Sequence, residues 1–177
     1  MLALAACKTT PMLGSDRSHA DDIAEDGGLT VNVFQTKTFK LLGYRSDYVR
    51  NRPLTIYIES DGRAFTHGRA SYDPTPNNPV ALRMASVHRQ VRPDESVVFV
   101  ARPCQYFLED NPVPCDPVYW STGRFHDDAV RAVATAVDDS IAVYRPSRVT
   151  LVGYSGGGVM AALIAAKRED VDRIVTV

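Results

Sequence analysis

Residues 148–158 read R-V-T-L-V-G-Y-S-G-G-G. The apolar run 148–153 is typical of a strand that is buried on both faces. A helix is predicted to follow from Gly156 to Lys167, so the chain turns from a strand into a helix at a Gly-x-Ser-x-Gly motif. This strand–turn–helix unit, centred on Ser155, predicts an α/β fold.

The same alternation of strands and helices runs through the rest of the sequence. Further strands are predicted at Leu54–Ile58, Ser96–Ala101 and Arg173–Val177, helices at Asn78–Gln90 and Asp127–Tyr144, and an antiparallel strand pair at Leu29–Phe34 and Phe39–Tyr44. Because strands joined by helices run parallel, we expect a mostly parallel sheet with helices on both faces. The antiparallel pair is expected at one edge of that sheet.

The composition excludes several classes of protein. The 177 residues suit one domain, and 45% of them are hydrophobic, which is too many for an acidic disordered chain. The 20 basic and 21 acidic side chains give a net charge of −1. We therefore expect no nucleic-acid binding, which usually comes with a basic excess. No apolar run reaches the roughly 18 residues that a membrane span needs.

The first residues resemble a bacterial lipobox, Leu4-Ala5-Ala6-Cys7, whose cysteine is acylated and becomes the mature N-terminus. No basic residue precedes Cys7, so residues 1–7 are interpreted as the remainder of a signal peptide. A chance cysteine in an ordinary chain start is the alternative. Residues 8–28 are polar and predict a flexible linker. Together these features predict a lipid-anchored protein that faces the periplasm in a bacterial cell envelope.

The chain stops inside the last predicted strand, Arg173–Val177. A terminal strand leaves an open sheet edge, which proteins usually cover. We therefore expect residues 29–177 to form a partial domain that is truncated at its C-terminus. A short natural domain with a protected edge is the alternative.

Two further cysteines, Cys104 and Cys115, lie in a proline-rich loop. In an oxidising compartment they can form a disulfide, and a pair of free thiols is the alternative. Neither is part of a Cys-x-x-Cys motif or of a Cys/His spacing that binds metal, so we expect no metal site.

The pentapeptide Gly153–Gly157 is interpreted as a nucleophile elbow, because it joins a buried strand directly to a helix. Ser155 would then stand at the carboxyl end of the sheet, and a side chain at Gly153 or Gly157 would crowd the turn. The N–H of Gly156 would point at a developing oxyanion, which the helix dipole also favours. A phosphate-binding loop is the alternative, but the segment has neither Gly-x-Gly-x-x-Gly nor a P-loop lysine.

From Leu29 to Val177 the sequence resembles the α/β-hydrolase superfamily and, more narrowly, a bacterial lipoprotein-type group within it. The resemblance rests on the elbow G-Y-S-G-G-G and on segments 57–62 (Y-I-E-S-D-G), 73–76 (D-P-T-P), 78–79 (N-P), 101–106 (A-R-P-C-Q-Y), 119–120 (Y-W) and 124–125 (R-F). It implies a second oxyanion N–H from the loop after the third strand, here the backbone of Asp61. Ser60 stands where a glycine is usual, and a simple turn over residues 60–62 is the alternative.

The resemblance also implies a triad acid and a histidine that follow the serine in the chain. The four histidines, His19, His67, His88 and His126, all precede Ser155. His67 and His126 are geometrically possible substitutes, whereas His88 is expected on an exposed helix face. We therefore expect this chain to lack its general base and to be inactive, because a serine without a base is a weak nucleophile.

The expected function of the complete protein is that of a serine hydrolase, which cleaves an ester or related acyl bond in a small-molecule or lipid-like substrate. No cofactor is implied. Two alternatives stay open. One is a non-catalytic envelope lipoprotein built on a hydrolase scaffold, and the other is a nucleotide-binding α/β domain.

Two long loops, 65–77 and 103–123, emerge at the carboxyl ends of strands, the edge at which α/β sheets bind ligands. Both contain aromatic residues and are candidates for the walls of an apolar pocket or for a lid. Packing of the loops themselves is the alternative.

Two arginines, Arg102 and Arg124, border the second of these loops. Each can bind an acidic group of a substrate. Local salt bridges with Asp116 or Asp127 are the alternative.

Overall fold

The structure, a computed structural model, describes residues 15–106 and 110–177. Its helices are α1 (Ser15–Asp26), α2 (Val80–Val91), α3 (Asp127–Tyr144) and α4 (Gly156–Ala165), with a short 3-10 helix at Pro117–Trp120. Its strands are β1 (Thr30–Gln35), β2 (Lys40–Arg45), β3 (Pro53–Ile58), β4 (Phe65–Thr66), β5 (Arg69–Ala70), β6 (Ser96–Val100), β7 (Arg148–Gly153) and β8 (Arg173–Thr176). Each predicted strand and helix is present, with its ends shifted by a few residues.

Six strands form one sheet in the order β1-β2-β6-β3-β7-β8, and β4 and β5 form a separate hairpin. Strands β6, β3, β7 and β8 are parallel, whereas β2 runs antiparallel to β1 and β6. The prediction of a mostly parallel sheet with an antiparallel pair at one edge is therefore confirmed. In the centre of the sheet Ile58 of β3 pairs with Gly153 of β7, so these two strands end at the same level.

The helices cover both faces of the sheet. Residues of β3 alternate between the faces, with Ile56 and Ile58 on one side and Tyr57 on the other. The first side packs against α3 and α4, through buried residues that include Val133 and Met160. The second side packs against α1 and α2. The central strands are thus buried on both faces, which explains their near-continuous apolar sequences.

The prediction of a flexible linker over residues 8–28 is wrong for the part that the structure describes. Residues 15–26 form α1, which packs on α2, and Ala20, Ile23 and Ala24 are buried. These residues are three and four positions apart and so share one helix face. Polar residues surround them in the sequence, and the short apolar pattern is easily missed.

The predicted lipobox and Cys7 lie outside the described residues, so lipid anchoring and an envelope location stay predictions. Within the described part of the chain, no helix is both long and apolar enough to cross a bilayer.

A disulfide joins Cys104 to Cys115, with the two Cα atoms 5.6 Å apart. It closes the loop between β6 and the 3-10 helix. The same loop is attached to the β1–β2 turn, because the N–H of Val113 donates to the carbonyl of Thr38 at 3.1 Å. The loop that begins with Arg102 is thereby fixed at more than one point.

Candidate active site

Ser155 lies in the turn between β7 and α4, at the carboxyl edge of the sheet. Its backbone has φ 52° and ψ −120°, and non-glycine residues rarely adopt a positive φ. Such a conformation costs on the order of 1–3 kcal/mol and persists only where the surrounding structure holds it. The N–H of Ser155 donates to the carbonyl of Val177 at 2.7 Å, and the residue is exposed. The turn therefore presents this serine at the edge where β3 and β7 end.

Three glycines allow this turn to pack directly on its surroundings. A Cβ atom on Gly153 would overlap the carbonyl of Gly157, and a Cβ atom on Gly157 would overlap the carbonyl oxygen of Ile58 at the end of β3. A Cβ atom on Gly156 would overlap the carboxylate of Asp61. The glycines of the motif are thus required by close contacts at three separate points, two with backbone atoms and one with a side chain.

Gly156 is the first residue of α4. Its N–H therefore has no carbonyl oxygen within the helix to which it can donate. The next two amides serve the turn itself, since Gly157 donates to the carbonyl of Tyr154 at 2.8 Å and Gly158 to that of Ser155 at 2.9 Å. The helix dipole adds partial positive charge at this end of α4. The Gly156 N–H is therefore placed where it can stabilise a negative charge next to the serine.

The loop that follows β3 lies against the same turn. The carboxylate of Asp61, the residue predicted to supply the second oxyanion N–H, contacts Gly156. The structure therefore places the side chain of Asp61 beside Gly156, the residue after Ser155, and the oxyanion role of the Asp61 N–H stays a prediction. The hydroxyl of Ser60 accepts a hydrogen bond from the N–H of Gly62 at 3.2 Å, so the loop is also the simple turn that its composition predicts.

Two arginines bind the two oxygens of the Asp61 carboxylate. Arg102 Nη1 lies 3.1 Å from Oδ1, and Arg124 Nε lies 3.3 Å from Oδ2. Arg102 Nη2 also donates to the carbonyl of Arg124 at 2.6 Å. Both guanidinium groups lie against the ring of Phe125, at 5.3 and 5.0 Å from its centre. We call Asp61, Arg102, Arg124 and Phe125 the arginine clamp.

The alternative of salt bridges between these arginines and Asp116 or Asp127 is wrong. Asp116 caps the 3-10 helix by accepting from the N–H of Val118 at 2.9 Å. Asp127 pairs with Arg131, at 3.7 Å. The carboxylate that the arginines bind comes from the loop after β3, far away in the sequence, and only the sheet topology brings it close.

The arginine clamp keeps a cation in the protein interior. The Arg102 side chain is only 5% exposed, and its Nε has no hydrogen-bond acceptor within the described residues. Burial lowers the pKa of Arg102, and the neighbouring Asp61 carboxylate opposes that effect. The position of Asp61 is therefore coupled to the charge of a buried arginine.

A second acid, Glu59, follows β3 directly and is fully buried. Its Oε1 accepts from the N–H of Ser60 at 2.7 Å, whereas its Oε2 has no hydrogen-bond partner within the described residues. Burial raises the pKa of Glu59, although the hydrogen bond from Ser60 opposes that effect. A buried carboxyl group thus lies at the start of the loop that carries Asp61. Glu59 is not among the residues predicted from the sequence, although an acid directly after a buried strand is a signal for a functional position.

Within the described residues, no histidine contacts Ser155. His126 caps α3 by accepting from the N–H of the residue two positions on, and it is exposed. His67 lies in the turn of the β4–β5 hairpin and is also exposed. His19 lies on α1, within 3.0 Å of Arg83. The substitute roles considered for His67 and His126 receive no support from these positions.

His88 is not on an exposed helix face, and that prediction is wrong. Its side chain is 13% exposed and lies between Tyr57 and Glu95. Nδ1 is 3.0 Å from the Tyr57 hydroxyl, and Nε2 is 3.1 Å from Glu95 Oε2. These contacts attach α2 to the sheet and to the start of β6, which accounts for the burial of the histidine.

The two long loops pack into the body of the domain. The indole N–H of Trp120 donates to the carbonyl of Ser71 at 3.1 Å, which joins one loop to the other. The N–H of Tyr106 donates to Thr75 Oγ1 at 2.6 Å. Residues 107–109 lie outside the described part of the chain, and a lid or pocket wall stays a prediction.

Two cavities lie away from Ser155. One, of about 390 Å³, is between β1 and α3, and the other, of about 560 Å³, is beside α2. In residues 15–106 and 110–177, no group of three or more potential metal ligands is arranged to hold a metal ion.

Comparison with solved structures shows which fold the chain has. A protein of unknown function from Agrobacterium tumefaciens, classed provisionally as an α/β hydrolase, superposes with a TM-score of 0.58 at 13% identity. A provisionally named lipase from Acinetobacter baumannii gives 0.52 at 13% identity, and an esterase from Pyrococcus furiosus gives 0.53 at 10%. These matches cover 82%, 92% and 86% of this chain. The described elements therefore form part of the α/β-hydrolase fold.

The chain spans about half the length of these structures, namely 58%, 45% and 51% of them in the same order. No protein-family model matches the sequence, and no curated protein matches it.

The structure also bears on the phosphate-loop alternative for residues 153–158. A glycine-rich phosphate loop leaves the space beside its glycines to the phosphate. Here the Asp61 carboxylate occupies the space beside Gly156. A nucleotide phosphate would have to displace a carboxylate that two arginines hold in place.

We expect Gly157→Ala to destabilise the protein, because the new Cβ would overlap the backbone at the end of β3. Overpacking of this kind costs about 1–3 kcal/mol in the free energy of unfolding. Val159→Ala on the exposed side of the same helix is the matched control, with a change within about 0.5 kcal/mol. Urea unfolding measures both values. Equal stability of the two variants would contradict the packing described for the turn.

Glu59→Gln should stabilise the protein at neutral pH. Burial raises the pKa of Glu59 in the folded state. The free energy of unfolding therefore falls as the pH rises from the unfolded-state pKa of about 4.3 towards the folded-state pKa. Glutamine has no proton to lose, so the advantage of the variant over the wild type should grow with pH in that window.

The check is urea unfolding of the wild type and Glu59→Gln between about pH 4 and pH 7, a range that starts near the ordinary Glu pKa. Glu25→Gln, at an exposed position on α1, is the control. Parallel stability curves for the wild type and Glu59→Gln would show that the buried carboxyl does not titrate as described.

Proposed function

We propose that this chain is the serine-bearing part of a hydrolase that cleaves an ester or related acyl bond. The observation that carries the proposal is the geometry of Ser155. It has a positive φ in a tight strand-to-helix turn, and the first amide of α4 follows it directly. A turn of this kind is the nucleophile elbow of α/β hydrolases. The fold that the chain shares with esterase and lipase structures supports the same assignment.

In this proposal the hydroxyl of Ser155 attacks the carbonyl carbon of the substrate. A base takes the serine proton, a new C–O bond forms, and the electron pair of the C=O bond moves onto the oxygen. The amides of Gly156 and Asp61 donate to that oxyanion. Collapse of the intermediate breaks the ester bond, and the alcohol leaves with the proton. Water then cleaves the acyl-serine by the same steps and releases the acid.

The base and its orienting acid come, in this proposal, from parts of the protein beyond the 177 residues. Two observations support this. No histidine contacts Ser155 within the described residues, and the chain spans only about half the length of the similar structures. A serine without a base is a weak nucleophile, so the chain alone should be nearly inactive.

The substrate class follows from the site and its relatives. Ser155 is exposed rather than enclosed, which suits a small-molecule or lipid-like acyl substrate, and one of the similar structures is named a lipase. A periplasmic location with an acylated Cys7 remains part of the proposal. The Cys104–Cys115 disulfide supports an oxidising compartment.

A fluorophosphonate probe tests this proposal, because it reacts with an activated serine. In the longer gene product we expect rapid labelling that is lost in Ser155→Ala and kept in Ser147→Ala, a control at an exposed serine. Residues 1–177 alone should label at least about a hundredfold more slowly, the usual contribution of general-base catalysis. Mass spectrometry of the labelled peptide gives the site and the rate.

Two results would contradict parts of the proposal. Rapid labelling of residues 1–177 would show that the base lies inside this chain. An unlabelled longer gene product would remove the hydrolase assignment and favour a non-catalytic protein on the same scaffold.

A further inference from the structure

We propose that the arginine clamp is a subsite for an anionic group of the substrate, with Arg124 as the residue that binds it. The ligand chemistry is a carboxylate or phosphate oxygen carried close to the scissile acyl bond. This inference rests on the proposed function of Ser155 and adds a selectivity to it.

The first observation is the charge balance of the clamp. Arg102 and Arg124 share a single carboxylate, that of Asp61. Within the described residues, Asp61 is the only carboxylate within 4.0 Å of either guanidinium group, and the two guanidinium groups repel each other. Two cations and one anion leave an excess of one positive charge beside Ser155. A second anion would restore the balance.

The second observation is the incomplete hydrogen bonding of a buried cation. Arg102 is buried, yet its Nε has no acceptor within the described residues. A buried charge that is only partly compensated is costly, and proteins normally pair it fully. The buried guanidinium of Arg102 therefore retains an unused donor next to the single carboxylate that it shares with Arg124.

The third observation is that one side of the clamp is accessible. The Arg124 side chain is 37% exposed and the Asp61 side chain 25%. Because Asp61 contacts Gly156, the residue next to Ser155, an anion bound at Arg124 would lie near a reacting acyl group. Arg124 is therefore accessible to a substrate, whereas the buried Arg102 is not.

The fourth observation is that the clamp is held in place before any ligand arrives. Arg124 Nη1 donates to the carbonyl of Ser121 at 3.0 Å, and its own carbonyl accepts from Arg102. The ring of Phe125 lies against both guanidinium groups. A guanidinium that is already positioned loses little conformational entropy when it binds an anion, which favours selectivity.

The test compares matched substrates in the longer gene product. One pair is the 4-nitrophenyl monoester of adipate against 4-nitrophenyl hexanoate. The other pair is hexanoylglycerol 3-phosphate against monohexanoylglycerol. The first pair asks whether the anion is a carboxylate and the second whether it is a phosphate, as in a lipid headgroup. We expect at least one anionic substrate to exceed its neutral partner about tenfold or more in kcat/KM, the size of one charge-assisted hydrogen bond.

Variants assign the preference to Arg124. Arg124→Gln should reduce the ratio of anionic to neutral kcat/KM to near one, and Arg124→Lys should keep part of it because the charge remains. Arg131→Gln is the matched control. It removes the same charge from an exposed arginine that pairs with Asp127 and Asp128 on α3, and the ratio should stay at the wild-type value.

The outcomes separate the two proposals. Ser155-dependent hydrolysis with no preference for either anion, or with a preference that Arg124→Gln leaves intact, would overturn the subsite and keep the hydrolase. Equal losses of the ratio in Arg124→Gln and Arg131→Gln would overturn it too, as a general effect of charge. If no substrate is cleaved in a Ser155-dependent manner, the proposed function fails and the subsite fails with it.

Discussion

The site depends on the close contact between the β7–α4 turn and the loop after β3. Gly157 allows the turn to lie against the end of β3, Gly156 allows the Asp61 side chain to approach, and Gly153 allows the turn to close on its own backbone. Ser155 has a positive φ in the middle of this turn, and the first amide of α4 follows it. A strained residue enclosed by close packing is a pattern common at functional sites. The parallel pairing of β3 and β7 provides the frame, since both strands end at one level.

The same contact explains why charged groups gather here. Asp61 reaches Gly156 from the loop after β3, and its negative charge would by itself oppose an oxyanion nearby. Arg102 and Arg124 bind the two carboxylate oxygens and so oppose that negative charge. The disulfide at Cys104 and Cys115 fixes the loop that starts at Arg102. The ion pairs and the loop after β3 therefore depend on one another.

The sequence predicts the sheet, its parallel centre and the position of Ser155, because buried strands and a glycine-rich turn are local patterns. Asp61 was predicted from a family resemblance. The ion pairs of Asp61 with Arg102 and Arg124 were not predicted. Asp61 lies on a different loop from the two arginines, and only the strand order brings the three residues together. Helix α1 was missed because its few apolar residues are buried by α2, a tertiary contact. Glu59 was missed for a related reason, since its complete burial is also a tertiary effect.

We propose that Ser155 reacts while the amides of Gly156 and Asp61 stabilise the developing negative charge. A crystal structure of the full-length protein after reaction with a fluorophosphonate would locate both the reacting atom and the oxyanion. We expect phosphorus bonded to Ser155 Oγ and a phosphonyl oxygen about 2.7–3.1 Å from both amide nitrogens. An adduct on another residue, or a phosphonyl oxygen turned away from both amides, would contradict it.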